Sequence, residues 1–432
     1  MRATFAQSGP LRGSLPTPPD KSISHRAALL AAMGESPVRI RNYLRGEDTL
    51  STLAAVRALG AEVHGSGDEI VVRGVGLRGG LRTGAHVDVG NAGTLMRLLP
   101  GWLAGQPAGS WTLDGDDSIR RRPVDRIAAP LRAMGARIEA REERLPPFTV
   151  HGSPLRGIEY DMPVASAQVK SCVLLAGLLA DGETTVIEPE ASRDHTERML
   201  LGAGVQVLRE GTRVTVRTTD AVALGDLTVP GDPSSAAFHV AAAVLVPGSR
   251  VVLGGMGANW TRTGFLRIVE RMGVKLGAVL EPAGAPLTRG EPVCDLEVGH
   301  GELRGTVVEA AEVPLAIDEL PLVALLGCFA EGETIVRGAS ELRVKESDRI
   351  ATVVDGLTGL GASIEATSDG FVVTGTGGLR GGVLSAHGDH RLAMLGAVAG
   401  LASAQGVEVV GMEAAAVSYP GFTADLARLG AF

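Results

Sequence analysis

Residues 155–217 read LRGIEYDMPVASAQVKSCVLLAGLLADGETTVIEPEASRDHTERMLLGAGVQVLREGTRVTVR, and the order of patterns in this stretch decides the fold. LRGIEYDMPVASAQ predicts a strand followed by a polar loop, and VKSCVLLAGLLADGE predicts an apolar helix ended by glycine. TTVIEPE predicts a second strand, and SRDHTERMLLGAG an amphipathic helix with its C-terminal glycine. VQVLREGTRVTVR alternates apolar and polar residues around a turn, as a β-hairpin does. The unit is therefore β-α-β-α-β-β.

Its opening tripeptide recurs along the chain, at Leu11, Leu77, Leu155, Leu224 (as Leu-Gly-Asp), Leu303 and Leu379. A second marker alternates with it, a glycine closing a helix-like stretch before a β-rich one. It begins at Leu59, Met134, Leu201, Met272, Leu360 and Leu429. A period of roughly 70 residues is too long for a solenoid of small repeats and implies six copies of one supersecondary unit. The sixth copy stops at ADLARLGAF, where its hairpin should begin, and the N-terminal segment MRATFAQSGPLRGSLPTPPD has the missing β character. The N-terminal strand is therefore expected to join the last unit. Residues 20–229 form one expected domain of three complete units; residues 1–19 with 230–432 form the other. The chain would cross between them near 16–20 and 229–233, where SLPTPPDKS and DLTVPGDPS resemble each other, and two crossings at one place make a hinge.

The composition fits a compact protein: 432 residues, 45% hydrophobic, enough for two or three cores. No apolar run reaches the ~18 residues of a membrane span and no signal-peptide pattern opens the chain, so a cytoplasmic protein is expected. The net charge of −8 argues against a nucleic-acid surface. Three cysteines, Cys172, Cys294 and Cys328, lie in apolar surroundings without metal or redox spacing and are expected as buried free thiols; the nine histidines form no ligand pattern. Of 41 basic residues only four are lysine: Lys21, Lys170, Lys275 and Lys345. Where arginine is the default cation, a lysine marks a place that needs a compact ammonium; Lys275 alone reads as a solvated strand residue.

Each polar segment precedes a helix, where unpaired backbone donors and the dipole favour anions. PPDKSISHR offers Lys21, Ser22 and Arg26; VGNAGTLMR offers backbone around Gly93, then Arg97; ASAQVKS offers Ser166, Gln168 and Lys170. AIDELP offers Asp318 and Glu319, and GDHRLAM offers Asp389, His390 and Arg391. The fourth, PGDPSSAAFH, carries no cation and is expected to serve the hinge more than a ligand. Two further segments stand outside the pattern: SIRRRPVDR, and ELRVKESDR, whose Lys345, Glu346 and Arg349 would share one helical turn. Singly, such runs are usually solvated faces with weak ion pairs. Together they supply many cations and two or three carboxylates without a P-loop or dinucleotide fingerprint. That suits two substrates with phosphate and carboxylate groups, joined by acid–base chemistry. A non-catalytic anion-binding repeat protein would leave Asp318 and Glu346 without a task.

In this order and spacing, DKSISHR, GNAGTLMR, RRPVD, SAQVKS, SRDHTE, RVKESDR and GDHRLAM resemble the 5-enolpyruvylshikimate-3-phosphate synthase family over essentially the whole chain. The resemblance implies an α/β (α+β) enolpyruvyl transferase fold: two domains of three β-α-β-α-β-β units, each an inside-out α/β barrel, closing like a clamshell on substrate. It implies transfer of the enolpyruvyl group of phosphoenolpyruvate to the 5-hydroxyl of shikimate 3-phosphate, by a monomer, with no metal, organic cofactor, nucleic-acid or membrane partner. By motif, Lys21, Ser22, Arg26, Ser166, Gln168, Arg193, Asp318 and Lys345 would bind shikimate 3-phosphate. Lys21, Gly93, Arg122, Gln168, Lys345, Arg349 and Arg391 would grip phosphoenolpyruvate. Asp318 would orient and deprotonate the 5-hydroxyl, Glu346 would protonate the methylene carbon, Lys21 would assist, and His390 would serve a proton relay. The role of Lys170 stays open between ligand contact and pairing within the helix. The sister family acting on UDP-N-acetylglucosamine uses a loop cysteine and Lys-Asn; here GDDSIRRRPVD has no cysteine and the first motif is Lys-Ser. Val417 in AAAVSYPGF resembles the second sequence class, and glycine at position 93 means that glyphosate tolerance does not follow from class alone.

Overall fold

The recurring tripeptide and the recurring helix-closing glycine meet in space. In the computed structural model, which describes Met1–Ala431, the Arg12 N–H donates to the Leu429 carbonyl (2.9 Å), Arg156 to Met134 (2.9 Å), Arg304 to Met272 (2.9 Å) and Arg380 to Leu360 (3.0 Å). Where the tripeptide is displaced, Arg82 and Ala223 donate to Leu59 and Ala203 instead. Each acceptor ends an amphipathic helix, and the glycine after it takes a positive φ, from 83° at Gly204 to 117° at Gly60. The next N–H then reaches back over the helix end, as Ala61 does to Val56 and Ala362 to Leu357 (both 3.0 Å), closing a Schellman turn that needs glycine. In the third copy that glycine is Gly204; Gly202, inside the marker that begins at Leu201, is still helical.

Three four-stranded sheets share one topology. They run Leu227–Thr228, Val38–Arg41, Ile70–Arg73, Glu62–His64; His86–Asp88, Ser110–Asp114, Leu145–His151, Arg137–Arg141; and Glu159–Asp161, Glu183–Ile187, Arg213–Arg217, Val207–Glu210. In each, the first pair is parallel and the next two are antiparallel. Val307–Val308, Glu333–Val336, Phe371–Thr374 and Ser363–Ala366 repeat the pattern. Two three-stranded sheets complete the set. Arg12–Pro16 lies parallel to Arg250–Gly257, which pairs with Val293–Gly299. Gly382–Ser385 lies parallel to Val407–Val410, whose other edge is filled by the N-terminal strand Arg2–Phe5. The strand after the first tripeptide thus serves the fourth sheet, and the strand after the fourth serves the first.

Six helices follow the parallel strands: Lys21–Met33, Gly93–Ala104, Ala167–Gly177, Pro233–Leu245, Leu320–Phe329 and His390–Ala402. They are apolar nearly all round and correspondingly buried, Pro233–Leu245 along its whole length. They pack closely: a Cβ at Gly101 would stand 2.2 Å from the Cys172 carbonyl oxygen of the neighbouring helix. Cys172 and Cys328 are buried free thiols; Cys294, expected to be buried, packs against the core on the face of Leu296 and Val298 but is half-exposed near the end of a sheet-edge strand.

The chain divides into two compact units, each with its own core. Unit one comprises Met1–Pro18, Pro230–Ala283 and the residues from Pro292 on; unit two comprises Pro19–Val229 and Gly284–Glu291. The last segment corrects the expected 230–432 boundary. It leaves unit one because His195, Arg198 and Arg209 of unit two bind Glu291, Thr288 and the Ala285 carbonyl. Among the described residues no helix is long and apolar enough to cross a membrane.

Candidate active site

In unit two, three helix starts are tied together. Asp20 caps the first helix by accepting from the Ile23 N–H (2.8 Å), which presents Lys21 and Ser22 at its first turn. Lys21 Nζ is held by Asp48 Oδ2 at 3.0 Å. One turn on, buried Arg26 donates to the Ser22 carbonyl (3.0 Å), Ser171 Oγ (3.0 Å) and Thr196 Oγ1 (2.7 Å). Ser166 caps the third helix, and Gln168 Nε2 donates to Thr94 Oγ1 of the second at 3.2 Å. Gly93 opens that second helix; a Cβ there would lie 2.9 Å from Arg122 Nη1 and 3.1 Å from Arg97 Nη1, so its bareness admits both guanidinium groups. Of the three consecutive arginines only Arg122 is buried, donating to Ser118; Arg120 is at the surface on Asp114. Arg193 is half-buried just ahead of the helix His195–Gly202.

Lys170 is not part of this face. It is fully buried and sits 2.7 Å from both Glu188 and Glu197. Burial alone would lower its pKa, but the two carboxylates outweigh that and hold the ammonium charged, while burial raises the pKa of Glu197. Such a group fixes the third helix; removing one partner would strand a buried charge.

Unit one gathers the remaining predicted residues. Lys345 and Glu346 do not share a helical turn with Arg349: a 3₁₀ turn ends at Val344, and the next helix starts at Arg349 with Asp348 as its cap. The bend brings Lys345 to Asp318, just ahead of the fifth helix, and Glu346 onto Arg349. Arg349, 1% exposed, lies 2.7 Å from Asp389, 2.6 Å from Glu346 and 3.3 Å from Asp318. Asp318 also faces Arg391 at 3.4 Å and Lys345 at 3.8 Å, and Arg391 approaches Glu319 at 3.7 Å. Asp389 caps the sixth helix at the Arg391 N–H. Burial would raise its pKa, but Arg349 outweighs this and holds it below the usual carboxylate range. His390 is buried with Nδ1 4.0 Å from Asp389 Oδ1. The fourth helix start, which has no cation in its own segment, receives one from Arg262, 2.6 Å from Asp232 and 2.9 Å from Ser234 Oγ. The Asp232 N–H also donates to the Pro18 carbonyl at 2.7 Å.

Sequence reading passed over Asp48, Ser171, Thr196 and Arg262. Ser171 and Thr196 belong to quoted motifs, so the hydroxyl types were available as a signal. Asp48 opens the helix Glu47–Ala58 and Arg262 lies in a loop; neither has a local pattern that names its partner.

Buried apolar helices that follow parallel strands, with cations at one unit's helix starts and carboxylate–guanidinium pairs at the other's, belong to an enolpyruvyl transferase fold. The enolpyruvyl transferase NikO from Streptomyces tendae superposes with a TM-score of 0.77 at 19% identity, over 99% of this chain and 96% of that one. More narrowly, the chain belongs to the EPSP synthase (3-phosphoshikimate 1-carboxyvinyltransferase) family, whose family model matches residues 5–426. The EPSP synthase structure from Acinetobacter baumannii is similar with a TM-score of 0.86 and 40% identity, covering 99% of this chain and 98% of that one. A 3-phosphoshikimate 1-carboxyvinyltransferase from Thermus thermophilus is 49% identical over 98% of both chains, and one from Shouchella clausii is 46% identical over 98% of this chain and 97% of its own.

Proposed function

We infer that this chain transfers the enolpyruvyl group of phosphoenolpyruvate to the 5-hydroxyl of shikimate 3-phosphate and releases inorganic phosphate (EC 2.5.1.19), a step of the shikimate route to chorismate and the aromatic amino acids. The observation that carries this reading is a pair of carboxylates, Asp318 and Glu346, on one buried guanidinium, Arg349, in a chain of this family.

In this reading Lys21, Ser22, Arg26, Ser166, Gln168 and Arg193 hold shikimate 3-phosphate, with Asp318 and Lys345 at its reacting hydroxyl. Lys21, Gly93, Arg122, Gln168, Lys345, Arg349 and Arg391 hold phosphoenolpyruvate. Both sets serve the same substrate pair. An anionic phosphoenolpyruvate group on Arg349 brings negative charge beside Glu346 and raises its affinity for a proton. Glu346 then gives that proton to the methylene carbon, and positive charge grows on the adjacent carbon. The 5-hydroxyl oxygen bonds there as its proton passes to Asp318, forming the tetrahedral intermediate. Elimination follows: Glu346 takes a proton back from the new methyl group, the carbon–oxygen bond to phosphate breaks, and the proton on Asp318 goes to the departing phosphate. Lys21 and the arginines stabilise that leaving charge, and His390, beside Asp389, relays protons. The chain works as a cytoplasmic monomer without metal or organic cofactor.

A phosphate-release assay tests the reading. Release is expected only when phosphoenolpyruvate and shikimate 3-phosphate are both present, and not when UDP-N-acetylglucosamine replaces the latter. Background release from folded protein with both substrates would overturn it.

A further inference from the structure

The helix His195–Gly202 is short, and a helix of this length has little stability alone. Asp194, at its N-cap, makes no side-chain capping bond to the first-turn N–H groups. The Asp194 carboxylate instead accepts from Arg198 Nε and Arg209 Nη1, both at 2.9 Å. The segment Gly284–Glu291 holds the same helix start from outside. His195 Nδ1 and Glu291 Oε1 are 2.6 Å apart, with side chains 1% and 7% exposed. Arg198, fully buried, extends past Asp194 to Thr288 Oγ1 at 3.0 Å and the Gly290 carbonyl at 3.5 Å. Arg209 reaches the Ala285 carbonyl.

The next residue reaches elsewhere. Thr196 Oγ1 accepts from Arg26 Nε at 2.7 Å and lies 2.6 Å from Ser171 Oγ. Arg193 is two residues upstream of His195. Consecutive residues therefore join two structures: His195 is fixed to the 284–291 segment, and Thr196 orients the Arg26 guanidinium. A shift of the helix start moves both Thr196 and Arg193.

We propose that Gly284–Glu291 is a positioning strap for shikimate 3-phosphate binding, acting through His195 and Arg198 on Thr196, Arg26 and Arg193. The proposal rests on the assignment of Arg26 and Arg193 to that substrate. Glu291 and Thr288 are positioning residues; neither touches the reacting atoms. A strap that only stabilised the fold would lower the melting temperature without favouring one substrate over the other.

The test compares Glu291→Ala, Glu291→Gln and His195→Asn in the full chain. It reads kcat, KM for each substrate, shikimate 3-phosphate affinity by calorimetry, and Tm. Glu291→Ala should raise KM and Kd for shikimate 3-phosphate about tenfold, the size expected for a lost buried hydrogen bond to a charged group. Its kcat and KM for phosphoenolpyruvate should stay within about twofold. Glu291→Gln keeps an acceptor oxygen and His195→Asn keeps a nitrogen near the Nδ1 position, so both should stay within about threefold of wild type. If Glu291→Ala does not fold, Thr288→Val removes a single contact and should still shift shikimate 3-phosphate affinity selectively. A lowered Tm with unchanged shikimate 3-phosphate affinity, or equal losses for both substrates, would overturn the strap alone. Wild-type protein that binds no shikimate 3-phosphate would overturn the functional reading, and the strap with it.

Discussion

The two triplets of helix starts match their cations differently. In unit two, Arg26 donates to a carbonyl and two hydroxyls, Arg122 to a hydroxyl and Gln168 to another, although Lys21 meets the Asp48 carboxylate. In unit one, Arg349 meets three carboxylates, Arg391 two, and Arg262 one. Hydroxyl and carbonyl oxygens orient a guanidinium's charge toward an incoming phosphate. Carboxylates cancel that charge and make a centre whose proton affinities respond to what displaces them. The first arrangement suits binding and the second suits proton transfer, so the contrast can be attacked residue by residue.

The largest effect should come from Glu346→Gln. Loss of a proton-transfer group costs about 10²- to 10⁴-fold in kcat, while both KM values should change little. A change confined to apparent affinity would move Glu346 to the binding side and blur the contrast. Next in size is Arg26→Lys, which keeps the charge and loses the planar fork that three oxygens orient. KM for shikimate 3-phosphate should rise about tenfold with kcat nearly constant; steady-state kinetics that show kcat falling instead would make Arg26 part of the chemistry.

The smallest effect is in stability. Each unit buries a histidine whose pKa is pushed down, and the same contrast separates them. His25 is lowered by burial and further by Lys21 and Arg26. His239, bonded through Tyr419 to Asp425, is lowered by burial to about 4, with Asp425 acting the other way. An unfolded histidine titrates near ~6.5, so below that value the unfolded state binds the extra proton first and stability falls with pH. The His239 contribution is fully present above pH ~6.5 and is lost as pH drops toward ~4, about 2 kcal/mol of it by pH ~5. Denaturant unfolding of His239→Gln should show a shallower decline from pH ~7 to ~5 than wild type; an equal decline would mean that His239 is not buried neutral.

Much of the architecture is legible because it is written in local chemistry. The six Schellman glycines demand positive φ, the six buried helices are apolar nearly all round, and the hairpin missing after ADLARLGAF leaves a sheet edge that Arg2–Phe5 fills. Motif order also pointed to Asp318, Glu346, Arg349 and Arg391, which the fold brings together. Pairings between distant segments were not legible. Lys170 sits in a motif beside Gln168, yet its partners Glu188 and Glu197 lie on other elements and draw it inward. Lys345 and Glu346 read as helical by spacing, but Asp348 caps a new helix and breaks the turn. Residues 284–291, GAPLTRGE, have no periodicity, so only the long-range bonds of Arg198 and Arg209 show which unit they join.

Direct titration of the Glu346→Gln protein with shikimate 3-phosphate tests the division of labour most directly. The account predicts a Kd within about threefold of wild type from a protein that has lost nearly all phosphate release. Binding lost together with turnover would contradict it, because Glu346 would then belong to the receptor for that substrate.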